Sequence, residues 1–232
     1  GKPIAELSRE ERIRLAFTEL GTTFIKLGQV LSTRSDVIGP ELAQELSKLQ
    51  SSTPADPPES VRATIESEFG KPPEALYAEF DAQAAGSASI AQVHMAKLQS
   101  GEPVVVKIQH VGIEEKVHQD LEILAFLAGI AEKQSAELRL YRPRAMTAEF
   151  RRNLIRELDF LREKKNLAEF ARNFEEDPTV HFPKAFPELT TRRVTADEIR
   201  EWFCGDATTN IAMLCGRISG IMAVDADSRE AA

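Results

Sequence analysis

The residues best suited to chemistry lie in one stretch. Ala84-Ala85-Gly86-Ser87-Ala88-Ser89 is a run of small side chains, and Val104-Val105-Val106-Lys107-Ile108-Gln109 follows after a turn at Gln99-Ser100-Gly101-Glu102. Side chains without bulk let backbone N–H groups approach phosphate oxygens closely, and a lysine on the next strand brings a cation to the α- and β-phosphates of a nucleotide. Alternation along the strand sends Val104, Val106 and Ile108 to one face and Lys107 to the other, where the lysine is poorly solvated unless paired. The competing reading is an edge-strand lysine that discourages aggregation.

Carboxylates that could pair with Lys107 lie in Arg156-Glu157-Leu158-Asp159-Phe160-Leu161-Arg162-Glu163-Lys164-Lys165-Asn166. On one continuous helix Asp159, Glu163 and Asn166 share a face. Glu157 then points roughly 200° from Asp159, so both serve one site only across a cleft or a distortion. A solvated charged face is the alternative. Lys26-Leu27-Gly28-Gln29 is a further polar group, set on a stripe of Ile13, Phe17, Leu20, Phe24, Leu27 and Leu31 that predicts one amphipathic helix. Lys26 and Gln29, three positions apart, can reach the same neighbour.

The elements that must carry these residues read as helix, then strands, then helix, then strands. Helical signals fill the first eighty residues. Pro40 opens a helix with Leu42, Leu46 and Leu49, and Ser51 to Pro58 forms a break. A helix with Val61, Ile65 and Phe69 inward ends at Gly70, and a helical turn from Pro72-Pro73 ends near Phe80. Ile90 to Leu98 and Val104 to Gln109 form a β-hairpin. Two long helices follow, one through Ile113, Val117, Leu121, Leu124 and Leu127 and one from about Pro143 to Phe174. Pro178 and Pro183 mark a loop, Phe186 to Val194 has the pattern of a hairpin, and Thr195 to Glu201 reads as a charged helix.

Composition narrows the function classes. The 232 residues can bury a sizeable core, and the net charge of −8, with basic and acidic residues interleaved, argues against a nucleic-acid partner. Cys204 and Cys215 form no Cys-x-x-Cys pair, which fits a reducing compartment, and His94, His110, His118 and His181 lack metal-pair spacing and read as ordinary core or surface histidines. No metal ligands are predicted. The longest apolar run, around Ile123 to Ala131, is too short to cross a membrane. The chain begins at Gly1 without a methionine, so the absence of a leader sequence carries little weight.

Together these motifs resemble the AarF/UbiB family of atypical protein-kinase-like proteins, linked to ubiquinone biosynthesis. Lys26-Leu27-Gly28-Gln29 resembles its Lys-x-Gly-Gln signature, and Ala85 to His94 its alanine-rich loop. Val104 to Lys107 resembles its nucleotide-lysine strand, and Glu157-Leu158-Asp159-Phe160 with Glu163 and Asn166 its Glu-x-Asp helix. The resemblance implies an α+β fold: a protein-kinase-like N-lobe, with a small antiparallel sheet and inserted helices, preceded by an all-helical extension. In sequence order that is an extension over 1–80, an N-lobe over 81–194 and a divergent tail over 195–232.

It further implies ATP or ADP as ligand, with Ala85, Gly86, Ser87, Ala88, Ser89 and Val93 around the nucleotide, Lys107 on the phosphates and Glu163 orienting Lys107. Lys26, Gly28 and Gln29 would gate the cleft against Glu157 and Asp159, Gly28 allowing close helix approach. Gly86 departs from a purely alanine loop and leaves the nucleotide preference open. The implied activity is that of an atypical kinase or ATPase, cytoplasmic or peripheral to the inner membrane, with membrane lipid or quinone-biosynthesis proteins as partners. The alternative is a non-catalytic helical module that docks a lipid or a membrane-associated complex.

The motifs stop near Val194. No catalytic-loop aspartate and no Asp-Phe-Gly follow, and Asp225-Ala226-Asp227 is not succeeded by Phe-Gly. The catalytic base and the Mg²⁺ ligands expected for the family are therefore missing from the sequence. A truncated or frame-shifted gene and a genuinely divergent ending both account for this. Trp202, Phe203, Ile211, Met213, Leu214 and Ile221 could then cover an exposed lobe surface.

Overall fold

The computed structural model describes residues 6–50, 53–176 and 183–198. Expectations for Ser51, Pro178, His181, the cysteines and everything from Ile199 onward lie outside the described residues. Contacts divide the chain into two compact units, one holding the described residues of Gly1–Pro54 and His110–Leu158, the other those of Ala55–Gln109 and Asp159–Ala232.

The first unit is helical: α1 (Arg9–Leu20), α2 (Thr22–Ser32), α3 (Ser35–Ile38), α4 (Pro40–Leu46), α7 (Ile113–Gln134), α8 (Ala136–Leu140) and α9 (Pro143–Glu157), the last three numbered after elements of the second unit. Ser8 and Glu11 close a capping box at the start of α1. The predicted single helix through Leu31 is broken at Gly21, whose φ of +92° lies outside the helical region and suits glycine. The break rotates the stripe, so that α2 buries Thr22, Thr23, Phe24, Ile25 and Gly28 while Leu20 is exposed. Ile25, Leu46 and Leu49 form the core of this group, with Ile13, Phe17 and Leu31 against it. The α7 helix buries Ile113, Val117 and Leu121 as expected, and α9 packs along it.

Among its described residues the second unit holds a five-stranded sheet with helices. It contains α5 (Pro58–Phe69), α6 (Pro73–Leu76), β1 (Tyr77–Phe80), β2 (Gly86–Ser87), β3 (Ala91–Leu98), β4 (Pro103–Gln109), α10 (Phe160–Asn173) and β5 (Val194–Glu198). Strand order is β1-β3-β4-β5, all pairs antiparallel, with β2 also on β3. Gly70, at φ +66°, ends α5 as predicted. The mixed helix-and-antiparallel-sheet class and the β3–β4 hairpin agree with the sequence.

Three local expectations are corrected. The turn from Pro73 stops at Leu76, because Tyr77 and Phe80 join the sheet beside β3 instead of extending a helix. The segment from Val194 is a strand and not a helix: Val194 and Ala196 enter the core, while Thr195 and Asp197 alternate to the other face. The expected hairpin over Phe186 to Val194 is a 3-10 turn, Pro187–Leu189, with Ala185 bridged to Asp197. Val61, Ile65, Tyr77, Val104, Val106, Ile108, Phe186 and Val194 share one apolar core, which fixes the face from which Lys107 is excluded.

Candidate nucleotide site

Because Val104, Val106 and Ile108 are essentially fully buried in that core, β4 turns Val105 and Lys107 to the opposite face. Lys107 stands directly across from Val93 of β3. Burying an ammonium requires a partner. Its Nζ donates to Glu163 Oε2 at 2.8 Å, the two side chains being 9% and 17% exposed. The same Nζ lies 4.6 Å from the centroid of the Phe160 ring, a cation–π contact.

The predicted continuous helix over 143–174 ends at Leu158, and Asp159 starts a new one. Its extended backbone and its side chain, which accepts from the Leu161 N–H at 3.1 Å, cap α10. The Phe160 N–H donates to the Arg192 carbonyl at 3.1 Å. This break is the distortion that separates the carboxylates: Glu157 closes α9 in the helical unit, whereas Asp159 and Glu163 belong to the sheet unit.

The small-residue stretch is not a bare loop. Ala85 N–H donates to Val93 O at 2.8 Å, Gly86 and Ser87 pair with Val93 and Gln92, and Ala88 N–H donates to Ala91 O at 2.9 Å. Ala85 packs against Val93 and Val105 on the face that carries Lys107, and Ser89 is buried. Gly86 sits in an extended pairing that any residue adopts.

Two contributors escaped the sequence reading. Phe160 was visible only as part of a motif. Asp197 was hidden by the helical reading of its segment, although the alternation Val-Thr-Ala-Asp was a strand signal. Asp197 is buried on β5, and its carboxyl is pushed from 3.8 up to about 7, first by burial and then by the Glu163 charge, with Lys107 and a hydrogen bond from Thr195 opposing.

In the helical unit, Lys26 Nζ lies 3.0 Å from Glu157 Oε2, with side chains 21% and 28% exposed. Gln29 Nε2 donates to the Leu49 carbonyl at 3.1 Å. A Cβ on Gly28 would overlap Leu49 Cδ1 and come within 2.9 Å of Phe17 Cδ1, which gives this glycine a packing reason.

The second unit's residues fit a nucleotide: a positioned cation, a tethered small-residue stretch and the apolar Val93 on one face. When bound, the nucleotide supplies a phosphoryl group, and Lys107 would neutralise its phosphates. Among the described residues no three His, Cys, Asp or Glu side chains converge, and Glu163 is held by Lys107. Also among the described residues, no helix is long and apolar enough to cross a membrane.

Comparison with known proteins agrees with this geometry. The profile of the ABC1 atypical kinase-like domain matches residues 48–215, continuing past Val194. The chain is 40% identical over 196 residues to the probable protein kinase UbiB of Marinobacter nauticus, covering 84% of this chain and 36% of that protein. It is 39% identical over 213 residues to its namesake in Pseudomonas fluorescens, covering 92% and 39%. A solved structure of Rv3197 from Mycobacterium tuberculosis, in complex with erythromycin, shares 25% identity at a TM-score of 0.57 over 76% of this chain and 43% of that one. The chain thus spans under two fifths of the length of these curated relatives. On the matched domain, the relatives and the fold, this chain belongs to the AarF/UbiB family of ABC1 atypical kinase-like proteins.

Proposed function

We propose that the chain is an adenine-nucleotide-binding portion of an AarF/UbiB-type atypical kinase or ATPase serving ubiquinone biosynthesis. The observation that carries this reading is the 2.8 Å pair between Lys107 and Glu163 beneath the small-residue stretch. In it, Lys107 binds the α- and β-phosphates, Glu163 and Phe160 orient Lys107, and Ala85 to Ser89 with Val93 border the nucleotide. Lys26 and Glu157 form an ion pair within the helical unit. The chain works on the cytoplasmic side.

A specific observation supports a second reading, a module that docks anionic lipid. In the C-terminal half of α7 and on α8, Phe126, Leu127, Leu138 and Leu140 are exposed, Leu140 by 82%, and Lys133, Arg139, Arg142 and Arg144 lie in the same segment. A coupled ATPase assay beside a vesicle-binding assay separates the two. Hydrolysis abolished by Lys107→Ala supports the enzyme. No turnover, with vesicle binding retained, supports the module.

A further inference from the structure

The buried polar group on the core side of β3 has a donor–acceptor logic of its own. Gln92 and His94 are both fully buried, and they face the same side of the strand as Ala96. Gln92 Oε1 accepts from the Asp56 backbone N–H at 2.5 Å. A backbone N–H can only donate, so the amide oxygen must face Asp56 and the NH₂ must face His94. That NH₂ lies 2.9 Å from His94 Nε2, which must therefore accept and carry no proton. The remaining ring nitrogen, Nδ1, lies 2.8 Å from the Asp81 carbonyl, which accepts only, so Nδ1 bears the hydrogen. Each step is forced by the one before it.

This chain of bonds ends at the entry to the small-residue stretch. Asp81 follows β1 directly, and its N–H also donates to Met95 O at 2.9 Å. Ala85, four residues on, is tied to Val93 O. Phe80 stacks on the His94 ring, with centroids 5.3 Å apart. Resting on the nucleotide reading above, we propose that His94, neutral and protonated on Nδ1, is the positioning residue of the nucleotide loop, and that protonation of its Nε2 loosens the loop and weakens nucleotide binding.

Protonation would set two donors, Nε2–H and the Gln92 amide, face to face in a site without water access. Burial already holds the imidazole below its ordinary 6.5, against the opposing hydrogen bond and charge of Asp81. The folded protein therefore resists a proton that the unfolded chain accepts, and the cost grows as pH falls below 6.5. The surroundings offer little compensation. Across β4 the neighbour is Val106, on β1 it is Phe80, and the charge that acts on the ring is that of Asp81. From α5, which shares this core, Arg62 is engaged by Glu66 and Glu74, and Glu68 by Arg193.

The test is titration of the full chain with a fluorescent ATP analogue from pH 8 to 5. An Asp197→Asn background silences the other group that changes charge near Lys107 over this range. Affinity is expected to fall as pH drops from 7.5 toward 5, by less than the roughly tenfold at pH 5.5 that an imidazole at its ordinary 6.5 would give, because burial holds this ring lower. Dividing by the affinity of His94→Gln, which has no titrating ring, cancels the ligand's own protonation, and the wild-type-to-variant ratio should still fall as pH drops, whereas a flat ratio would mean that His94 plays no part. Gln92→Glu supplies an acceptor for the imidazolium Nε2–H, so its pH dependence should invert. Nitrogen NMR of the His94 ring should show the Nδ1–H tautomer. An Nε2–H tautomer, or the wild-type acid limb surviving in His94→Gln, would overturn the proposal.

If no nucleotide binds at any pH, the nucleotide reading fails by itself. The clamp is then judged by amide exchange at Asp81 and Ala85. Faster exchange at pH 5.5 than in His94→Gln supports it, and equal exchange refutes it.

Discussion

Lys107 Nζ and Glu163 Oε2 meet at 2.8 Å although 56 positions of chain separate them. The strand supplies one partner by alternation, and the first turn of a newly capped helix supplies the other. At 9% and 17% exposure the pair lies between surface ion pairs of negligible worth and buried ones whose rupture is severe. A double-mutant cycle of Lys107→Met with Glu163→Gln in urea denaturation should give a coupling on the order of 2 kcal/mol. A coupling near zero would mean that the pair is not a defined contact in solution.

Phe160 should prove to be part of the same device. Phe160→Leu keeps the apolar volume but removes the ring face under the ammonium. Nucleotide affinity should then drop about fivefold, matching the ~1 kcal/mol of a partly desolvated cation–π contact. Comparable affinity in this variant would reduce Phe160 to core packing.

Asp197 predicts a pH dependence of stability. Its carboxyl titrates at 3.8 when exposed and at about 7 in the fold, so the folded state holds a proton that the unfolded chain releases in between. The associated stability is fully present below 3.8 and is lost as pH rises through about 7. Asp197→Asn should therefore melt higher than wild type at pH 8 and no higher at pH 4. A constant difference across that range would contradict the assignment.

Two packing predictions need no ligand. Tyr77 is buried to 1% exposure, which raises its pKa, and its hydroxyl has no hydrogen-bond partner among the described residues, so Tyr77→Phe should cost nothing or stabilise by about 1 kcal/mol. Gly28→Ala should destabilise, because overpacking costs about 1–3 kcal/mol against the ~1 kcal/mol that alanine gains in a helix. Thermal melts of both variants read the two signs directly.

Much of the site was legible from residue pattern. Strand alternation placed Lys107 on the face opposite Val104 and Val106. Glu163 as the partner came from family resemblance, since helix spacing alone left Asp159 and Glu157 equally available. What escaped was set by single backbone events. Gly21 breaks a helix whose apolar stripe reads as continuous, and Asp159 caps where the charge pattern runs on. At Val194 to Glu198 the charged residues suggested a helix, but pairing with β4 outweighs local preference. The inward glutamine and histidine on β3 could be seen in sequence only as polar residues on a strand, without the tautomer that their partners impose.

The central claim is that Lys107, held by Glu163, binds nucleotide phosphates. Titration of the wild-type chain and of Lys107→Ala with a fluorescent ATP analogue at pH 7.5 tests it most directly. The account predicts saturable wild-type binding, weakened at least about tenfold in the variant, the scale of losing a charge-assisted contact. Binding of equal strength in both proteins would contradict it.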